Sequence, residues 1–112
     1  CIVSIHSFTP KLNLQKYRPW HIGILWDRDR RMSDLMIQDL KKNKQICIGE
    51  NEPYAGNLLG DTLFQHGTSN KIPHVLIEFR NDLINSKSGQ QNWAKLISVT
   101  LKNSYSKLVG VG

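Results

Sequence analysis

The segment from His74 to Phe79, HVLIEF, is an almost unbroken apolar run introduced by Pro73, and it restricts the fold more than any other stretch of the chain. A short run of this kind, rich in branched and aromatic side chains, suits a central β-strand buried on both faces. A central strand needs neighbours, and the sequence offers three. Ile2, Val3 and Ile5 form an apolar segment that ends at His6 and runs into a proline-containing loop, Ser7–Pro19. His21–Trp26 is a second short run with a two-sided apolar character, and Gln45–Gly49 (QICIG) is a third. Between and after them lie helical patterns. Leu35, Met36, Ile37 and Leu40 recur at helical spacing within Ser33–Lys44, where Ser33 or Asp29 can cap the start and Lys41, Lys42 and Lys44 crowd the end. Asp61–Gln65 suits a turn or two of helix. Gly89–Leu108 carries Trp93, Leu96, Ile97, Leu101, Tyr105 and Leu108 at intervals of three and four, the clearest helix of the chain.

Strands alternating with helices, without an internal repeat, predict an α/β fold: about four strands in a mostly parallel or mixed sheet flanked by helices. At 112 residues the chain has room for one domain, residues 1–112, and no composition shift divides it. No apolar run approaches the ~20 residues that span a bilayer and no leader pattern opens the chain, so the expectation is a cytoplasmic protein with no membrane partner. Cys1 and Cys47 have no metal or scaffold spacing and read as reduced thiols. Cys1 stands where an initiator Met would and opens directly onto a strand, which implies a missing upstream part. The net charge of +6 is spread along the chain and mixed with acids, apart from short clusters such as Arg30-Arg31 and Lys41-Lys42, and calls for no nucleic acid.

Glu78 is the most informative single residue, since a carboxylate within VLIEF needs a partner to offset burial. One reading is an ion pair with Arg80, which points to the same side of a strand; the other is a functional carboxylate at the sheet's C-terminal edge, a general base with Arg80 as a fork for a substrate carboxylate. His6 also stands at a strand end before a loop, where parallel sheets place ligands, and is either a satisfied structural histidine or a metal ligand. His21, His66 and His74 share no ligand spacing and read as ordinary histidines. Tyr54, in the loop ENEPYAGNLLG, is either an anchoring aromatic or a mobile hydrogen-bond donor over a site.

Taken together, SIHSFTP at 4–10, RPWHIGILWDRD at 18–29, GENEPYAG at 49–56, and PHVLIEFRNDLI at 73–84 followed by GQQNWAKL at 89–96 resemble the C-terminal half of N-formylglutamate amidohydrolases, in the same order. That family resembles zinc carboxypeptidases in its core. The resemblance implies His6 of SIHS as a metal ligand, Glu78 of IEFR as the catalytic general base or acid on a metal-bound water, and Tyr54 and Arg80 near the substrate. Arg18, Trp20, His21, Asn51, Glu52 and Asn81 lie in segments that can line the same pocket. The implied activity is hydrolysis of the C–N bond of an N-acyl amino acid, with N-formylglutamate as the reference substrate and zinc as the cofactor of the intact enzyme. The family's first metal-binding motif, a histidine with an acidic residue, belongs to the half that is absent here. His6 alone falls short of the about three protein ligands of a catalytic zinc, so the chain as given is expected to bind zinc weakly or not at all and to be inactive or nearly so. The rival reading is a non-catalytic remnant or interaction module that keeps the scaffold and forms a homodimer through an exposed sheet edge.

Overall fold

The computed structural model describes residues 1–11, 17–53 and 62–110. The apolar run becomes a strand, His74–Arg80, with every residue buried. It is the last of four strands among the described residues: β1 (Ile2–Phe8), β2 (Ile22–Leu25), β3 (Ile48–Glu50) and β4 (His74–Arg80). They form one sheet in the order β1-β4-β2-β3. β1 runs parallel to β4, and β2 parallel to β3, while β2 and β4 are antiparallel. The sheet is therefore mixed, with β4 inside it as its composition requires.

Alternation along the strands gives each face a different cover. On one face Val75, Ile77 and Phe79 of β4 and Ile22 and Ile24 of β2 pack against Met32, Met36, Ile37 and Leu40 of helix α1 (Arg31–Leu40) and Ile97 of helix α3 (Lys87–Leu108). On the other, Leu25 and Leu76 meet Leu63 of helix α2 (Thr62–Ser69), with Ile2 alongside. Both helix starts lie upstream of the residues that the apolar spacing picks out. The Asp29 carboxylate accepts the Arg31 N–H at 3.0 Å, so α1 opens two residues before Ser33, whose buried hydroxyl instead donates to the Arg30 carbonyl at 3.2 Å. The Ser86 hydroxyl accepts the Gly89 N–H at 3.1 Å and α3 opens at Lys87, an ordinary serine cap that apolar periodicity cannot register. At its other end α1 stops at Leu40, where the Asn43 N–H turns back to the Leu40 carbonyl at 3.0 Å. Its terminal lysines therefore sit in a turn. Among the described residues no helix is long and apolar enough to cross a membrane.

Candidate active site

Cross-strand register lines up one row of residues across the whole sheet. His6 of β1 is opposite Glu78 of β4, Glu78 is opposite Gly23 of β2, and Gly23 is opposite Gly49 of β3. Register partners share a face, and adjacent strands lie about 4.8 Å apart, so His6 and Glu78 stand side by side on the face away from α1 and α3. Both are near the C-terminal ends of parallel strands, two residues short of Phe8 and Arg80. Glu78 is 2% exposed, whereas His6 is open to solvent.

The two glycines of the row shape the space beside Glu78. A side chain on Gly23 would collide with the Glu52 carbonyl, and one on Gly49 would come within 2.7 Å of that oxygen and 3.1 Å of Trp20 Cγ. The backbone after β3 thus lies flat on the sheet at the row. Asn51 holds it there: its N–H donates to the Ile24 carbonyl at 3.0 Å, its side-chain oxygen accepts the Trp26 N–H at 2.8 Å, and its φ of 57° is one that asparagine tolerates well. This loop leads into Tyr54, which lies outside the described residues.

Arg80 is 8% exposed and its guanidinium is engaged within the fold. Nε donates to Asp82 at 2.7 Å, and Nη1 to the carbonyls of Arg18 and Pro19, each at 3.3 Å. The guanidinium carbon also lies 5.2 Å from the Tyr17 ring centroid. Arg80 clips the segment before β2 onto the end of β4, and its described ion pair is with Asp82 rather than Glu78.

The remaining histidines are placed apart from the row. His21 lies with its ring centroid 6.1 Å from that of Trp93 in α3, and its Nδ1 accepts the Cys47 N–H at 2.8 Å. An accepting Nδ1 requires the neutral Nε2–H ring. In keeping with that, burial lowers the His21 pKa, helped by the Arg80 charge and opposed by Asp82. His74 is buried at the opposite end of β4, its Nδ1 2.8 Å from the Ile72 carbonyl and its Cα roughly 13 Å along the strand from Glu78. His66 is exposed in the last turn of α2. No group of three or more His, Cys, Asp or Glu side chains able to hold a metal occurs among the described residues. His6 is a donor of the right type for zinc, but the described residues by themselves do not fit a catalytic zinc, which needs about three protein ligands.

A family model described as N-formylglutamate amidohydrolase matches residues 1–85, a span that includes His6, Gly23, Gly49 and Glu78. The chain belongs to the N-formylglutamate amidohydrolase family. Among solved structures, it is similar to the gene product Atu2144 from Agrobacterium tumefaciens, with a TM-score of 0.85 and 30% sequence identity. That likeness covers 95% of this chain and 42% of the Agrobacterium chain, so the present chain spans less than half of the relative's length. No curated protein matches it. Within the family segment, His6 and Glu78 were legible as strand-end polar residues in apolar surroundings. Nothing local in the sequence marks Gly23, Gly49 or Asn51 as positioning the loop, and only the glycine in each short strand hints at a close backbone approach.

Proposed function

We propose that this chain carries one wall of an amidohydrolase site that cleaves the C–N bond of an N-acyl amino acid of the N-formylglutamate type. The observation that supports it is the register pairing of His6 with Glu78 on one sheet face, inside the segment that matches the family. Glu78 acts as the general base: a carboxylate there accepts a proton from the attacking water and returns it to the leaving nitrogen, giving the free amino acid and formate. Held on a fully buried interior strand two residues from its C-terminal end, its oxygens need little reorganisation before the proton moves. His6 contributes one imidazole donor to a zinc site whose other ligands are not among the described residues. Tyr54 and Arg80 serve the substrate side. For Arg80 that role is confined to donors beyond Nε and Nη1, which already bind Asp82 and two carbonyls.

The test joins these residues to the remaining portion of a family member and follows formate release together with zinc content. Glu78→Gln keeps shape and removes basicity, so turnover is lost while zinc content holds; His6→Ala lowers both. Full turnover by the Glu78→Gln protein would sink the assignment. A second reading, a self-associating module that retains the scaffold, draws support from the outer edge of β1, where Ile5 is 57% exposed.

A further inference from the structure

On the α1 and α3 side of the sheet, facing away from His6 and Glu78, the end of α1, the turn after it and α3 line an open groove of about 820 Å³. A second hollow of about 450 Å³ lies beside it and shares Asp39 and Lys42 of its lining. Lys42 and Lys44 from the turn after α1 and Lys95, Lys102 and Lys107 from α3 line the two. The one carboxylate among the lining residues, Asp39, is already engaged by Lys42 Nζ at 3.5 Å and Asn103 Nδ2 at 3.4 Å. Among the described residues Lys44, Lys95, Lys102 and Lys107 have no salt-bridge partner. The floor is apolar, with Leu40, Ile46, Leu96 and Val99, the last 54% exposed.

We propose that this groove binds an acidic amphipathic helix of a partner polypeptide, its apolar face on Leu96 and Val99 and its carboxylates on the lysine rims. Three features select that occupant. Lysines without a salt-bridge partner among the described residues favour an anion. An apolar floor between them favours a ligand with aliphatic side chains, in the helix-in-groove manner. Nucleic acid is disfavoured, because single-strand sites rely on aromatic platforms and arginine, and the groove residues include neither. From Asn92 to Lys107 the lining side of α3 is about 22 Å long at 1.5 Å per residue, which matches a partner helix of about 15 residues. This site is independent of the amidohydrolase reading, since it shares no residue with the His6–Glu78 row.

The experiment titrates the whole chain into a fluorescein-labelled peptide of about 16 residues with Glu on one helical face and Leu on the other, and reads anisotropy. Saturable binding is expected, weakened at least about 10-fold by Lys44→Glu with Lys95→Glu, and to a similar extent by Val99→Glu. A scrambled peptide of equal composition should bind at least about 10-fold more weakly. Equal binding of the scrambled peptide, tighter binding of oligo-dT or phosphatidylserine vesicles, or no saturable binding each overturns the proposal. Should the variants lose their helical circular dichroism, lysine acetylation of the wild-type protein decides it. Protection of Lys44 and Lys95 by the helical peptide alone supports the site, and unchanged modification refutes it.

Discussion

At the scale of residues, the difference between Glu78 and Gly23 shows what a sequence can and cannot announce. Glu78 interrupts an apolar run, so its oddity is local and visible without a structure. Gly23 matters only because the Glu52 carbonyl, far along the chain, comes down on it, and that approach is a property of the fold. Gly23→Ala should therefore push the loop off the sheet and destabilise the protein by about 1–3 kcal/mol, an overpacking effect measured by urea denaturation. A change under about 0.5 kcal/mol would mean that the loop yields freely. His21 makes a second residue-scale case, since it stands just before β2 with its ring turned to Trp93, where it accepts the Cys47 N–H. Its folded pKa is lowered from 6.5, so below that value the unfolded chain binds the proton more readily than the folded one. The contribution of the neutral ring is thus present above pH 6.5 and is lost as pH falls through the folded pKa. The His21 ring protons should titrate in NMR below the midpoint of a free histidine, and His21→Gln should reduce the loss of stability between neutral and mildly acidic pH. A normal or raised His21 midpoint would contradict the neutral-ring assignment.

At the scale of elements, short apolar runs and helical spacing located the four strands and three α-helices of the described residues, although β1 and β3 are only partly buried. It could not fix strand direction. The antiparallel pairing of β2 with β4 follows from how residues 17–21 are tied back onto the end of β4, through the Arg80 side chain and the bond from the Arg80 N–H to the His21 carbonyl at 3.0 Å. Charge was likewise scattered in sequence and gathered by folding, since the turn after α1 and one side of α3 bring separate lysines to one groove. β1 presents the clearest element-scale consequence. It is a seven-residue edge strand, IVSIHSF, without Lys, Arg, Asp, Glu or Pro, and natural edges usually carry such residues to prevent pairing. Self-association of this chain through β1 is expected in sedimentation, as a monomer–dimer equilibrium that Ile5→Lys shifts to monomer. A wild-type monomer across a wide concentration range, or a dimer indifferent to Ile5→Lys, would remove β1 as the interface.

At the scale of the whole molecule, family membership and ligand arithmetic pull in different directions, and zinc is where they meet. The family match spans both His6 and Glu78, yet the likeness to the Agrobacterium structure covers only 42% of that chain, and no three-donor group exists among the described residues. The other histidines do not close the gap: His21 belongs to the α3 side, and His74 sits at the far end of β4. His66 is on the surface of α2. A lone imidazole with one neighbouring carboxylate holds zinc far less tightly than the about three-ligand set of a catalytic site, so the 112-residue chain should bind zinc weakly in calorimetry and lose that binding on His6→Ala. If Glu78 is the general base proposed above, hydrolysis of N-formylglutamate should stay at the background rate with or without added zinc, because that role would need an activated water to deprotonate. Zinc-dependent turnover by the chain alone would refute this. It would require a donor outside the His6–Glu78 row, and substituting His21, His66 and His74 in turn would show whether any of them supplies it.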